Sequence, residues 1–583
     1  MKRDSYLVGR AFKSFLFASV MTVAASQAGA FVDGLMVSWF ISDAAMSAIN
    51  ISTPVLQLYF SLSLLLGAGG TIMAGKAIGN HDRQTASGIY SLAVMAAVTI
   101  GVLLGAGGMI FFDPLLRILC PDEALSGFAG LYMSITIPSA PIYMLMIVMQ
   151  MFVALDGEPK RVTAAVSTSI AVNLILDYVF IAICGWGMIG TATATVISYF
   201  PAIFILALHF KKKDTLKFSV KTNSGALTGI VKMGTPSGFT AMLMSVQIFI
   251  CNIVAIRYLG TAGVIVFAVC MYLLRLSMII LTGTIDSFQP VASILAGSDD
   301  NRGVAIVVGK AYRFLTVSLS IFAGLMVLFP RWIGIIFGIE DAATLAVVES
   351  AIPVYALNII LQCTIGLLIP IYQVYSNTRQ AMLISVGQPL LPMLFFWIMA
   401  AAGGNAWLGF AVGQVALLLL LLLAVVRKGN GKIPFFLIPR QSTENVYDTS
   451  IVPDMNDMGQ QLLEADGWLR KAGAGESLSF RVGVACEEIL KNIADHAEKI
   501  NKKVASVDMR ISLLPKKIIV MIHDDGRPFN PVEQAPKTGL GLQIAKGICD
   551  NMKYEYLFHQ NILTMTWDMD TATASPQNTD SEK

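Results

Sequence analysis

Apolar residues dominate the chain between about residues 12 and 426, where they form long segments separated by short polar stretches. Each segment is close to the roughly 20 residues that an α-helix needs to cross the hydrocarbon core of a bilayer. The pattern therefore predicts an all-α polytopic membrane domain of about twelve transmembrane helices. Their approximate cores are residues 14–37, 48–75, 88–111, 128–153, 162–183, 188–209, 229–256, 262–292, 309–329, 349–372, 380–401 and 406–426.

The hydrophobic pattern changes after residue 426. Residues 427–450 are polar and contain Pro and Gly, which is typical of a linker. Residues 451–570 have the patterning of an ordinary soluble domain, with amphipathic helical stretches and short apolar strands. The last residues, 571–583, are polar and are expected to be disordered.

Composition supports this division. Of the 583 residues, 55% are hydrophobic and only 14% are charged, whereas about a quarter of the residues in a soluble globular protein are charged. The net charge of +3 is too small to indicate a nucleic-acid partner. The seven cysteines are scattered without metal-binding spacing, so we interpret them as small buried apolar residues.

Basic residues concentrate in every second connection between the predicted helices. Lys76 and Arg83 follow the second helix, Lys160 and Arg161 follow the fourth, and residues 211–213 follow the sixth. Because cytoplasmic loops carry the excess of Lys and Arg, this alternation predicts that both termini are cytoplasmic. We expect a multi-pass protein of the bacterial inner membrane.

The two halves of the membrane domain resemble each other. GEPKRVTAAVS (157–167) is similar to SNTRQAMLISV (376–386), and other pairs recur at the same offset of roughly 219 residues. A repeat of this kind indicates a duplicated six-helix unit. We predict two lobes, residues 1–212 and 222–426, that rock against each other around a central cavity.

Two acids and an amide interrupt the apolar segments of the first half. Asp33 lies in the first predicted helix, and Asn173 and Asp177 lie four residues apart in the fifth, so that they share one helical face. A charged residue at the bilayer centre costs at least about 2.5–3.5 kcal/mol. Such groups either hold helices together by hydrogen bonds or bind a proton or another cation that neutralises them. We favour the second interpretation for this set.

The membrane part resembles transporters of the MATE (multidrug and toxic-compound extrusion) family. The segments that carry the resemblance are FVDGLMVSWF (31–40), GGTIMAGKAIGNHDRQTASG (69–88) and NLILDYVFIAICGWGMIGTATATVISY (173–199). It extends over roughly residues 10–426 and includes the duplication. It implies a secondary transporter that is driven by an ion gradient.

The same resemblance implies a cation site in the first lobe. In family members that use such a site, the matching positions here are Asp33, Asn173, Asp177 and Thr195, with Tyr132 lining the same cavity. Some members carry a Tyr one turn before the first-helix acid, and this chain departs from them with Gly29. Another branch places acids in the second lobe, where this chain offers Asp286 as a second ion site or a cavity-lining group; the alternative is a solvated acid near a helix end.

Three motifs follow in order in the soluble part: ACEEILKNIADHA (485–497), KIIVMIHDDGRPFNP (517–531) and KTGLGLQIAKGICD (537–550). In the first, Glu488 and Asn492 share a helical face, and an amide oxygen there can bind Mg²⁺ that bridges phosphates. In the second, a carboxylate at the end of a buried strand can accept a hydrogen bond from adenine.

Together the motifs resemble the GHKL ATP-binding fold of gyrase, Hsp90, histidine kinases and MutL, which is an α/β sandwich. The details are most similar to anti-sigma-factor serine kinases. The resemblance implies Asp524 for adenine and Gly526, Gly539 and Gly541 around the nucleotide. It also implies Asn492 for Mg²⁺ and Glu488 as a general base that accepts the proton of a partner serine.

We therefore predict an H⁺- or Na⁺-coupled antiporter that exports drugs or other small organic compounds, with an ATP- and Mg²⁺-binding regulatory or serine-kinase-like domain. The expected partners are membrane lipid, a small-molecule substrate with cationic drug-like compounds among the candidates, and a soluble regulatory protein. Two alternatives stay open. One is a membrane-anchored signalling protein whose helices sense a ligand and whose ATP domain phosphorylates a partner. The other is a flippase for lipid-linked precursors.

Overall fold

The computed structural model describes residues 6–211, 216–219, 225–426, 432–433, 435–440, 445–452, 455–499, 506–534 and 540–569. Two compact units are present. The soluble unit consists of Met1–Ser14 together with Arg440–Lys583, and the membrane unit is Phe15–Pro439. The polar tail that was expected to be disordered, residues 571–583, lies outside the described residues, as does part of the predicted linker.

The membrane unit is built from helices. They are α1 (Tyr6–Phe40), α2 (Asp43–Gly79), α3 (Arg83–Ile110), α4 (Phe112–Leu119), α5 (Glu123–Thr136), α6 (Ala140–Leu155), α7 (Pro159–Asp177), α8 (Met188–Ala207), α9 (Gly225–Gly297), α10 (Asn301–Leu328), α11 (Pro330–Ile336), α12 (Ala342–Gly366), α13 (Leu368–Val374), α14 (Thr378–Ala401) and α15 (Ala406–Val426). A π-helical stretch, Tyr178–Ile183, continues α7, a 3₁₀ turn, Leu208–Lys211, follows α8, and a small β-ladder pairs β1 (Lys432–Ile433) with β2 (Ile438–Pro439). Side chains of Ser42, Asp82, Asp300 and Asp341 begin four of the helices by accepting backbone N–H groups.

The number of spans agrees with the sequence pattern. The described residues include 10 helices that are long and apolar enough to cross a membrane, or 11 when the bent pair α5–α6 is one span. Helix α9 runs for 73 residues but breaks at Gly260, whose φ is 66°, so it contains two spans. The predicted all-α polytopic class is thereby confirmed.

The fourth predicted span, 128–153, is not one straight helix. It is divided between α5 and α6, which are bent by 60° relative to each other. Pro138 lies in the break and Pro141 in the first turn of α6. Proline removes a backbone donor and disfavours helical geometry in the residue before it, which explains the interruption.

Helix α2 packs closely along both halves of α9 through glycines. A Cβ at Gly69 would collide with the carbonyl oxygen of Ile230, and a Cβ at Gly79 would collide with that of Ile294. From the other side, a Cβ at Gly234 would collide with the carbonyl oxygen of Leu65. Small residues at such crossings let helix backbones approach each other in a membrane.

The soluble unit contains a five-stranded antiparallel sheet in the order β3-β4-β5-β7-β6. Its elements are β3 (Val446–Ile451), α16 (Met455–Lys471), α17 (Glu476–Lys499), β4 (Val507–Leu514), β5 (Lys517–Asp524), α18 (Pro531–Gln534), α19 (Leu540–Ile548), β6 (Asn551–Leu557) and β7 (Gln560–Asp568). One core joins alternate strand residues such as Val520 and Trp567 to helix residues such as Val482 and Ile489. This arrangement confirms the α/β sandwich.

Candidate ion and nucleotide sites

Two acids of the first lobe come together although they lie on different helices. Asp33 of α1 is half-buried and Asp177, the last residue of α7, is completely buried. Their carboxyl groups are close enough to interact with each other. Among the described residues, neither oxygen of Asp177 and not Oδ1 of Asp33 has a hydrogen-bond partner. Buried carboxylate oxygens without partners are costly, so this pair is a candidate for binding a proton or another cation.

Polar groups from α7 and α8 border the pair. Asn173 donates from Nδ2 to Oγ1 of Thr195 over 3.4 Å, and the Thr195 hydroxyl donates to the carbonyl oxygen of Thr191 over 2.9 Å. Asn173 and Thr191 both lie near enough to Asp177 to interact with its carboxyl group. Thr191 was missed in the sequence, although it lies one helical turn before Thr195 on the same face and could have been found from that spacing.

Tyr132 of α5 belongs to the same region. It is 3% exposed and lies within electrostatic reach of both Asp33 and Asp177. Its ring packs in an apolar cluster with Val37 and Ile181, among others. The structure therefore brings together all five residues that the resemblance assigned to the first-lobe site, and their role in binding an ion stays a prediction.

The backbone around Asp177 is unusual. Helix α7 ends at this residue and the chain continues in π-helical geometry over Tyr178–Ile183. Short π-helical stretches inside helices occur frequently at functional sites. Nearby, a Cβ at Gly29 would lie 2.8 Å from Cγ2 of Ile170, so a side chain at this position of α1 would crowd α7.

Asp286 occupies a different place. It lies inside the second half of α9 and is exposed to a cavity of about 100 Å³. Polar residues of that cavity are Ser19, Thr22, Thr71, Gln150 and Gln289. Gln289 donates from Nε2 to Oγ1 of Thr71 over 2.9 Å, which connects α9 to α2. Asp286 is thus a cavity-lining acid within a span, and its role also stays a prediction.

In the soluble unit, Asp524 ends β5 as a buried and oriented acceptor. Its Oδ1 accepts hydrogen bonds from the backbone N–H of Gly526 and from Nδ2 of Asn561, both over 2.8 Å. Asn561 is itself held by Tyr554, whose hydroxyl donates to its Oδ1 over 2.7 Å. Asn561 was missed in the sequence, where the only signal is an amide at the start of an apolar strand.

The environment of Asp524 disfavours its charged form. Burial raises the pKa of this carboxyl, and the hydrogen bonds from Asn561 and Gly526 oppose that rise. A carboxyl held in place by two donors in a desolvated site is suited to accept a hydrogen bond from a ligand.

Helix α17 and the start of α19 meet at the other predicted nucleotide residues. A Cβ at Gly541 would collide with the carboxylate of Glu488 in its present position, so the start of α19 lies directly against that side chain. Asn492 lies one turn after Glu488 on α17 and is partly buried. Gly539 lies outside the described residues. The close approach of Gly541 to Glu488 brings the first and third motifs together.

Two family models match separate parts of the chain. The MatE model matches residues 18–179, and the model for a histidine kinase-like ATPase domain matches residues 451–567. These matches confirm both resemblances that the sequence motifs indicated.

Curated relatives match part of the chain. The multidrug export protein MepA of Staphylococcus haemolyticus is 23% identical over 261 residues, which are 44% of this chain and 58% of that protein. The MepA protein of Staphylococcus saprophyticus is 23% identical over 365 residues, 61% of this chain and 80% of that protein. The chain spans less than two thirds of the S. haemolyticus protein that it matches.

Solved structures match the fold. A MOP superfamily transporter from Pyrococcus furiosus has a TM-score of 0.67 at 20% identity, and the match covers 74% of this chain and 100% of that transporter. An outward-facing multidrug resistance MATE family transporter has a TM-score of 0.65 at 20% identity, covering 74% of this chain and 99% of that one. The chain therefore combines a multi-pass membrane domain of the MATE fold with a histidine kinase-like ATPase domain.

Proposed function

We propose that the membrane domain exports small organic compounds in exchange for H⁺ or Na⁺. The observation that carries this proposal is the pair of Asp33 and Asp177, whose buried oxygens have no hydrogen-bond partner in the described part of the chain. Two carboxylates in contact repel each other in a medium of low dielectric constant. A single cation between them removes that repulsion, so its binding and release can favour different conformations of the domain.

The hydroxyl and amide groups around the pair determine how that cation is held. Asn173, Thr191 and Thr195 offer neutral oxygens beside the acids, and hard cations prefer oxygen ligands. A proton needs only the carboxyl oxygens, whereas Na⁺ would use the neutral oxygens as well. The effect of removing one hydroxyl therefore distinguishes the two ions.

The substrate is proposed from the chemistry of the cavity. Two relatives are multidrug export proteins by name, and here Asp286 lies in a cavity with amides and hydroxyls, together with Met151. One acid among flexible and polar side chains is suited to attract a cationic compound, although at about 100 Å³ the cavity in this conformation is smaller than the roughly 300–1,000 Å³ of pockets that hold drug-sized ligands. We place the protein in the bacterial inner membrane with both termini in the cytoplasm.

The described conformation is proposed to be closed on the cytoplasmic side. The glycine contacts between α2 and α9 extend to Gly79 and Gly297, beside Lys76, and this end carries the basic residues that indicate the cytoplasm. Because the two lobes are in contact at this end, substrate would leave through the opposite end. An outward-facing state would be the one from which substrate leaves and the cation enters.

Flux in proteoliposomes tests the export function. Imposing a pH gradient and a Na⁺ gradient separately identifies the coupling ion, with a fluorescent cationic dye as cargo. Asp33→Asn and Asp177→Asn are each expected to abolish gradient-driven export. The matched control is Asp341→Asn, because this exposed acid caps α12 and Asn is also a good cap. Undiminished export by Asp177→Asn would refute the site assignment.

For the soluble domain we propose binding of ATP with Mg²⁺. Asp524 would accept a hydrogen bond from the adenine amine, Asn492 would hold Mg²⁺, and Gly541 would let the backbone at the start of α19 approach the phosphates. Bound Mg²⁺ would neutralise charge on the phosphates. The proposal is supported by the oriented carboxyl of Asp524 and by the close approach of Gly541 to Glu488.

A protein serine kinase is the second candidate for this domain, because Glu488 lies against Gly541 at the mouth of the proposed phosphate site. In that function Glu488 would accept the proton of a partner serine. Such activity would make the protein a membrane-anchored signalling protein with its helices as the sensor.

Measurements of nucleotide binding and of phosphate transfer by the full-length protein separate these two proposals. Asn492→Ala is expected to remove Mg²⁺-dependent ATP affinity, and unchanged affinity would contradict the GHKL-type site. Glu488→Gln is expected to leave affinity intact but to abolish phosphate transfer to a serine substrate, if the domain is a kinase. Glu487→Gln is the matched control, since the neighbouring Glu487 is exposed.

A further inference from the structure

The first residues of helix α1 belong to the soluble unit. Residues up to Ser14 cluster with Arg440–Lys583 rather than with the membrane unit. Within residues 6–14, the N-terminal segment, Leu7, Val8, Ala11 and Phe12 are between 1% and 5% exposed. Their spacing places them on one side of a helix, so the segment has a buried apolar stripe.

Two polar contacts fix this segment on the sheet. The side-chain amide of Gln560 donates from Nε2 to the backbone oxygen of Leu7 over 2.7 Å. The guanidinium of Arg10 forms an ion pair with Asp525, whose side chain is only 5% exposed, whereas that of Arg10 is 41% exposed. A nearly buried carboxylate is stabilised most when a cation stays beside it.

Both partners are direct neighbours of the proposed base-binding residues. Asp525 follows Asp524, and Gln560 precedes Asn561, while Asp524 and Asn561 are opposite each other in the ladder of β5 and β7. Because successive residues of a strand point to opposite faces, Gln560 lies behind Asn561 with respect to the helix-covered face. The segment therefore holds the two strand ends from the back and leaves the base site open.

Electrostatic contacts place Arg10 at the same location. Burial raises the pKa of the Tyr556 hydroxyl above its usual value. The positive charge of Arg10 opposes this rise, and the negative charge of Asp524 adds to it. Arg10 and Asp524 thus both lie within electrostatic reach of one phenol on β6.

We propose that the N-terminal segment is a positioning element of the nucleotide site, in which Arg10 anchors the turn that carries Asp524. The inference rests on the proposed ATP site. Docking of the segment makes that turn more rigid and tightens nucleotide binding. By thermodynamic reciprocity, bound nucleotide strengthens docking of the segment by the same factor. Helix α1 also carries Asp33 further along the chain.

Mg-ATP affinity of the full-length protein in nanodiscs tests the proposal. Arg10→Asp is expected to weaken binding about fivefold or more, in the range of typical coupling between sites. Arg10→Lys keeps the positive charge and is expected to retain most of the affinity. Lys13→Asp makes the same charge change at an exposed residue of the segment and is expected to have no effect.

Hydrogen exchange gives a second readout without mutation. Mg-ATP is expected to slow amide exchange over residues 6–14 in the wild type. The inference would be overturned if wild type and Arg10→Asp bound Mg-ATP with equal affinity, or if Mg-ATP did not change the amide exchange rate of this segment. Either result would leave the ATP site in place. Absence of nucleotide binding by the wild type would overturn the proposed ATP site and this inference with it.

Discussion

Gly69 and Gly234 face each other where α2 crosses residues 225–259 of α9. A Cβ at Gly234 would lie 2.6 Å from the carbonyl carbon of Leu65 and 3.0 Å from the backbone nitrogen of Gly69. These are backbone atoms, which cannot rotate away as a side chain can. Gly234→Ala is therefore expected to force the two helices apart at the end that is proposed to be closed.

The size of the effect follows from the geometry. Carbon atoms in contact prefer a separation of about 3.5–4.0 Å, and the carbonyl oxygen of Leu65 lies nearer still, so the helices must separate by at least about 1 Å locally. Overpacking of this kind costs roughly 1–3 kcal/mol. If only the cytoplasm-closed state is strained, the equilibrium between the two states shifts about 5- to 150-fold toward the inward-open one. The export rate should fall because the outward-facing state is visited less.

Cysteine labelling measures the shift directly. Ser293 is fully buried and its side chain adjoins Gly75 at the same interface. In a background without native cysteines, Ser293→Cys should react slowly with a polar maleimide, and faster when Gly234→Ala is added. Gly324→Ala in α10 is the control, because nothing lies within 4 Å of the added Cβ. Slow labelling and full export in Gly234→Ala would refute the idea that this crossing closes the cytoplasmic side.

Three further outcomes are expected. Thr191→Val removes a hydroxyl beside Asp177, so flux assays should show a half-saturating Na⁺ concentration several-fold higher, with little change for H⁺. Asn561→Ala removes the donor that orients Asp524 and should weaken ATP binding roughly tenfold in a titration, since such a loss costs about 1–3 kcal/mol. Asp524→Asn should raise the melting temperature of the soluble domain without nucleotide at pH 7. Folding raises the pKa of this acid above 3.8. Its favourable contribution to the free energy of unfolding is therefore present below pH 3.8 and is lost as the pH rises through the folded-state pKa. The difference in melting temperature should therefore shrink toward acidic pH, and a constant difference would contradict the burial argument.

The membrane spans could be predicted because the bilayer imposes a length on apolar segments, and that length is visible in the sequence. Interruptions inside a predicted span could not be placed with the same rule. Hydrophobicity continues through Pro138 although the helix does not, and through the π-helical stretch after Asp177, whereas the break at Gly260 falls between the predicted cores 229–256 and 262–292. Local backbone geometry depends on proline, glycine and packing, which an average over 20 residues does not record.

Some site residues could be predicted from local spacing, and others could not. Asn173 and Asp177, or Glu488 and Asn492, could be paired because helical spacing places them on one face. Asn561 was missed because its contact with Asp524 spans two strands that are distant in sequence. The N-terminal segment was assigned to the first lobe, residues 1–212, although it clusters with the soluble unit and its apolar stripe is buried. A hydrophobic pattern shows that a face is buried, but it does not identify the partner.

The source of energy for export can be argued from the same structure. The described part of the chain has one ATPase-like domain, whereas the paired acids lie in the membrane helices, so a gradient of H⁺ or Na⁺ is the proposed driving force. ATP would then act by binding alone, and it could shift a conformational equilibrium only by its difference in affinity for the two states. Export should therefore respond equally to ATP and to a non-hydrolysable analogue, with half-maximal effect at their dissociation constants. Gradient-driven dye flux at increasing concentrations of each nucleotide measures this. A requirement for hydrolysis would assign the domain a motor role and contradict the ion-coupled scheme.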